Sequence, residues 1–233
     1  MRVLLTNLFI DRNSGTETFV ETVADGLRRA GHCPMIYATR LGPQAERMSI
    51  RGHVVVDSIG ALPAEPDVIH AQHAPTTIIA IAAFPHTPVL NYCHSARFAA
   101  ETPVLHPNVR RHVAIDELCR ARCLTDGDPR ERLSVLLNPV DLERFSMRGA
   151  LPNRPKRALI LGKRREHRPL VEEACAASGV VLDELGDGVR FSTSLEEDLP
   201  AYDLVFGGAE ARLKRLPVAA ASSSVTVEAS QVC

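Results

Sequence analysis

Three loops in this sequence combine chemically useful residue types with useful positions. The first is NSGTETF (13–19), where Gly15 and Thr16 stand between an apolar run and a strongly patterned helical stretch. A helix starting there points unpaired backbone N–H groups outward, which suits an anion or sugar hydroxyls. A capped helix with a glycine turn and no ligand accounts for the same residues. A dinucleotide site does not, because it needs G-x-G-x-x-G and Gly15 is the only glycine between Met1 and Asp25. The second loop, NYCHSARF (91–98), places His94 just past another apolar run. In open parallel sheets ligands lie outside the carboxyl ends of the strands, and an imidazole there can hydrogen-bond a hydroxyl or a phosphate. A loop histidine with no such role is the plainer reading. The third loop, LGKRREHRP (161–169), gathers Lys163, Arg164, Arg165 and Arg168 ahead of Pro169, which fits a first helical turn. Cations at a helix start make a phosphate site, or simply a solvated basic loop.

Other groupings carry less. His70 and His73 flank Ala71 and Gln72, but no carboxylate or cysteine is spaced to complete a metal site, so no metal is expected. Asp116 and Glu117 are adjacent and point apart on a helix, which makes no acid/base pair. There is no G-x-S-x-G elbow and no P-loop.

The elements that must position these loops alternate along the chain. Strands are expected at 2–9, 34–39, 53–56, 66–72, 88–93, 112–115 and 133–138, and helices at 16–30 and 76–84. Phe19, Val20, Val23, Ala24 and Leu27 recur at helical spacing, behind a capping box, Ser14-Gly15-Thr16-Glu17. Gly31 supplies the left-handed stop. Residues 146–156, with a glycine, two prolines and basic side chains, read as a linker. The pattern restarts with a strand at 158–162, a helix at 169–177 and strands over VVLDEL and YDLVFG. This is an α/β chain with parallel sheets flanked by helices. The expected organisation is a domain at 1–145, the linker, a partial second domain at 157–207 and a poorly ordered tail at 208–233.

Composition limits the function classes. Lys plus Arg total 27 against 28 Asp plus Glu, aromatics are 4% and Trp is absent, so no nucleic-acid partner is expected. No apolar run approaches the roughly 18 residues that span a bilayer, and MRVLLTNLF reads as a first strand rather than a signal peptide. Six scattered cysteines without a C-x-x-C pair read as free thiols of a reducing, cytoplasmic compartment.

Five segments, in order, resemble the retaining glycosyltransferases of family 4. SGTETFVETVADGLRRAGH is similar to the family's glycine loop and first helix. PDVIHAQH is similar to its D-V-I-H-x-H strand, and VLNYCHS to the strand ending in its active-site histidine. VLLNPVDLERF is similar to its N-G-V-D-x-x-x-F segment, and ALILGKRREHRP to the start of its C-terminal domain. The resemblance implies the GT-B fold: an acceptor-side Rossmann-like domain followed by a donor-binding one. It implies a nucleotide-sugar donor and a sugar, lipid or small-molecule acceptor, with peripheral membrane contact compatible and no cofactor or metal. It assigns Gly15 to the donor phosphate, Thr16 to the acceptor side and His94 to the donor sugar at the reacting centre. Lys163, Arg164 and Arg168 would neutralise the donor diphosphate.

The departures are specific. Ser14 and Pro139 stand where the family has glycine, and Lys leads the basic loop where the family often has Arg. After YDLVFGG the family's E-x7-E is missing, because Val218 lies eight residues after Glu210. The expectation is a second domain truncated or frameshifted near residue 207. Two functions follow: a retaining sugar transfer impaired by that loss, or an inactive remnant acting as an accessory or binding subunit. A nucleotide-sugar epimerase on the same fold ranks below both.

Overall fold

The computed structural model describes residues 1–12, 14–145, 149–161, 168–186, 192 and 194–207. Lys163, Arg164 and the tail expected at 208–233 lie outside these. The chain divides into two compact units, the first running from Met1 to Pro139 and the second beginning at Val140.

The first unit contains β1 (Arg2–Ile10), α1 (Gly15–Arg29), β2 (Cys33–Leu41), α2 (Pro43–Ile50) and β3 (Val54–Val56). It continues with β4 (Val68–Gln72), α3 (Ala74–Ala83), β5 (Val89–Cys93), β6 (Val109–Ala114), α4 (Glu117–Thr125) and β7 (Leu133–Val135). Its seven strands form one parallel sheet in the order β3-β2-β1-β4-β5-β6-β7. The chain winds outward from β1 through β2 to β3, then returns to the other side at β4. The loops after β1 and β4 therefore leave in opposite directions, which opens a crevice at their carboxyl ends.

Alternating residues of each strand bury on opposite faces. Val3 and Leu5 of β1 pack with Phe19 and Val20 of α1 and Met48 of α2. Leu4, between them, packs on the other face with Ile69 of β4 and Ala80 and Ile81 of α3. A sheet covered on both faces explains the continuous apolar runs. Gly31 adopts φ of 78° and ends α1 as expected. The segment between the strands expected at 34–39 and 53–56 is largely α2, and β7 stops at Val135 rather than continuing to residue 138.

The second unit has β8 (Arg157–Leu161), α5 (Arg168–Ser178), β9 (Val181–Leu185), the short α6 (Leu195–Asp198) and β10 (Leu204–Gly207). Its sheet is parallel in the order β10-β8-β9. Phe145 and Val140 pack with Leu159, Leu185, Leu199 and Tyr202, so the residues just after Pro139 belong to this core.

The start of α1 is shaped by one buried side chain. Glu17 is 2% exposed. Its Oε1 accepts from the N–H groups of Asp11 (2.8 Å) and Arg12 (3.0 Å), and Oε2 accepts from Ser14 N–H (2.8 Å). The carboxylate half of the capping box therefore gathers the turn that leads from β1 into the helix. Glu17→Ala strands three donors; a hydrogen bond to a charged group contributes about 1.5–3 kcal/mol net, and donors that water reaches after the truncation recover part of it. The expected loss is about 2–4 kcal/mol in urea denaturation, with Glu17→Gln losing less. A loss below about 0.5 kcal/mol for the alanine variant would show that the turn does not need this carboxylate.

Candidate functional site

The carboxyl edge of the first sheet brings three of the predicted residues into one region. Gly15 and Thr16 open α1 just after β1, and His94 follows β5. Phe19, one turn into α1, meets the His94 ring edge-on with centroids 4.5 Å apart. Tyr92 stacks on His94 at 5.8 Å and on His70 at 4.5 Å, with interplanar angles of 20° and 19°. The glycine-loop helix and the histidine thus share one aromatic cluster. On β1, Asn7 donates from Nδ2 to Phe9 carbonyl (2.7 Å) and reaches Thr16 Oγ1 at 3.5 Å.

His73 and Glu101 were not singled out as site residues, and both are central. His73 sits between β4 and α3 with φ of 61° and ψ of 129°. That backbone is costly for any residue with a Cβ, about 1–3 kcal/mol, and persists only where surrounding bonds over-determine it. They do so here. Thr76 Oγ1 donates to Gln72 carbonyl (2.6 Å), Thr77 Oγ1 donates to His73 carbonyl (2.8 Å), and the His73 ring is bonded at Nδ1. Nδ1 accepts from Leu8 N–H across the crevice (3.2 Å), which puts the ring proton on Nε2, facing Glu101 Oε1 at 3.3 Å. Glu101 Oε2 accepts from His94 N–H at 2.9 Å. The H-x-x-H spacing makes His73 visible in the sequence, but nothing local marks it as a strained residue at a strand end. Glu101 lies in an ordinary loop sequence with no local signal.

Burial governs the protonation of this edge. It holds His70 and His73 down to a pKa of about 4, and His94 to about 3 with help from the other two rings. All three imidazoles are therefore neutral at physiological pH. Burial pushes the Glu101 carboxyl up to about 8, against the His94 N–H bond that favours its charge. Gln72 Nε2 donates to His70 Nδ1 at 2.8 Å. Three buried polar atoms here, Asn7 Oδ1, Gln72 Oε1 and His94 Nε2, have no hydrogen-bond partner among the described residues. Such atoms are expected to be met by water or by ligand hydroxyls.

His70 and His73 are thus occupied by protein partners. Among the described residues no group of three or more His, Cys, Asp or Glu is arranged to hold a metal ion. Asp116 serves as the N-cap of α4, accepting from Cys119 N–H at 2.7 Å. Cys93, Cys119 and Cys123 are free thiols buried together between β5 and α4.

Of the basic loop, Arg168 is described. It opens α5, where Nε donates to Glu172 Oε1 (2.8 Å) and one Nη lies 3.1 Å from Glu184 Oε2. Its guanidinium is therefore shared between two carboxylates. Among the described residues no helix is long and apolar enough to cross a membrane.

No family model and no curated protein matches the chain. Solved structures do. The Anabaena protein HepE, solved in complex with UDP-glucose, is 13% identical with a TM-score of 0.58, over 88% of this chain and 73% of that one. A glycosyltransferase from Rickettsia africae is 15% identical with a TM-score of 0.57, over 93% and 70%. The lipopolysaccharide outer core galactosyltransferase WaaB is 14% identical with a TM-score of 0.56, over the same shares. The likeness is one of fold, and the fold is the Rossmann-like α/β arrangement of the GT-B glycosyltransferases.

The buried imidazoles give a pH test. Between about pH 6.5 and 3 the folded chain keeps His94 neutral while the unfolded chain protonates it, so this contribution to stability is lost as pH falls. His94→Asn removes that loss. Below pH 6.5 the stability difference should move in favour of the variant by up to about 1.4 kcal/mol per pH unit, read from urea titrations at pH 7, 6 and 5. Parallel pH dependences would mean that the folded state protonates His94 readily.

Proposed function

We propose that this chain is a retaining glycosyltransferase of the family 4 type, moving a sugar from a nucleotide-sugar donor to a hydroxyl of a sugar, lipid or small-molecule acceptor. The observation that carries this reading is the convergence of the α1 start, with Gly15 and Thr16, and the His94 ring at the carboxyl edge of a GT-B fold. Fold alone does not specify chemistry, so the weight falls on that edge. The UDP-glucose bound by HepE supports a nucleotide-sugar as the donor class.

In the proposed reaction the bond from the anomeric carbon to the diphosphate breaks and the acceptor oxygen bonds to that carbon. The acceptor proton leaves with the diphosphate. His94 is a neutral imidazole, so its part is to hydrogen-bond a donor sugar hydroxyl through Nε2, the atom without a partner among the described residues. Asn7 Oδ1 and Gln72 Oε1 supply further acceptors for hydroxyl protons. Gly15 would lie by the donor phosphate and Thr16 by the acceptor. Neutralisation of the departing diphosphate would fall to Lys163, Arg164 and Arg168, without a metal.

One observation favours a non-catalytic chain. Arg168 is paired with Glu172 and Glu184, so part of its positive charge is already offset before a diphosphate arrives. Turnover decides between the readings. The chain, offered a panel of nucleotide-sugars, should release nucleoside diphosphate and attach the sugar to an acceptor, identified by mass. His94→Ala should lower kcat by about 100-fold or more. Absence of turnover together with absence of nucleoside-diphosphate binding would favour the accessory role.

A further inference from the structure

We propose that Glu101 is a positioning residue for His94, acting through a carboxylate staple that joins the carboxyl ends of β1, β4 and β5. The inference rests on the transferase reading only for its catalytic consequence. The staple itself is defined by three contacts: Leu8 N–H to His73 Nδ1 (3.2 Å), His73 Nε2 to Glu101 Oε1 (3.3 Å), and His94 N–H to Glu101 Oε2 (2.9 Å).

The strand β5 ends at Cys93, and the His94 N–H points to a side chain instead of a neighbouring strand. Glu101 reaches it from seven residues further on and is 3% exposed. The excursion between them is braced at its far side by Arg122 of α4, which donates to the carbonyls of Ser95 (3.0 Å) and Phe98 (2.6 Å) and to Thr102 Oγ1 (2.8 Å). Arg122 holds the loop as a body, whereas Glu101 fixes the one residue whose ring faces the aromatic cluster. Its partner His73 cannot yield easily, because its strained backbone is locked by Thr76 and Thr77.

The staple pairs both donors as a carboxylate, the form Glu101 takes above pH about 8, so the experiment is run at pH 9. His73 accepts at Nδ1, so Nε2 carries the proton and lies 3.3 Å from Glu101 Oε1, while His94 N–H donates to Oε2. Two donors therefore face the two oxygens of one side chain. An amide of the same shape turns its NH2 toward one of those donors, whichever way it is placed. Glutamine at 101 is thus nearly isosteric and still mismatched, which separates positioning from mere space filling.

The experiment uses the full chain. In the wild type, ring 15N shifts should report the Nε2–H tautomer of His73, and the His94 amide should exchange at least 10-fold more slowly than the amides of the exposed residues Leu105 and His106. Glu101→Gln should shift the His73 tautomer toward Nδ1–H, speed His94 exchange at least 10-fold, and lower kcat for nucleotide-sugar hydrolysis at least 10-fold with donor KM changed less than 3-fold. Glu101→Ala should do the same more strongly. Nδ1–H on His73 in the wild type, or free exchange of its His94 amide, overturns the proposal even if no variant folds. A folded Glu101→Gln chain with wild-type tautomer and kcat also overturns it. The wild-type spectroscopic signature without any turnover supports the staple and overturns the transferase reading alone.

Discussion

A parallel sheet covered on both faces leaves main-chain N–H groups unpaired where its strands end, and in this protein two buried carboxylates take them up. Glu17 collects the N–H groups of Asp11, Arg12 and Ser14 as the chain leaves β1. Glu101 collects the N–H of His94 as it leaves β5, and meets the ring of His73 at the end of β4. A buried carboxylate without such donors would be strongly disfavoured, and buried N–H groups without such acceptors equally so. Each solves the other's problem. The carboxyl edge is shaped by this exchange, and the candidate site lies on that edge.

The same burial sets the character of the site. His70, His73 and His94 are all held neutral, with His70 and His94 packed against Phe19 and Tyr92 and His73 edge-on to Phe98. Such an edge can offer and accept hydrogen bonds without attracting anions by charge. That suits uncharged hydroxyls better than phosphate. The cations proposed for phosphate belong to the second unit, where Arg168 opens α5.

Much of the fold was legible in the sequence. Strand β1 and helix α1 followed from an apolar run, a capping box and Gly31, all of which act within a few residues. The parallel sheet followed from alternating apolar runs and helical patterns. Helix α2 was missed because it is short and opens with Pro43 in a stretch that reads as a turn. The candidate site was only half legible. Gly15, Thr16 and His94 announce themselves as loop residues just past strands. His73 was visible as a histidine but not as a strained one, and Glu101 was not visible at all.

The residues taken alone determined the α/β class, the two successive Rossmann-like patterns and the loops where chemistry would fall, because propensity, capping and periodicity are local. Tertiary structure decided which side chains make those loops rigid. Glu101 is seven residues from His94, and Leu8 is 65 residues from His73, yet all four meet at one edge. No local pattern encodes such a meeting. It arises because the chain reverses direction between β1 and β4, and because buried donors and acceptors must then be paired across the crevice that the reversal creates.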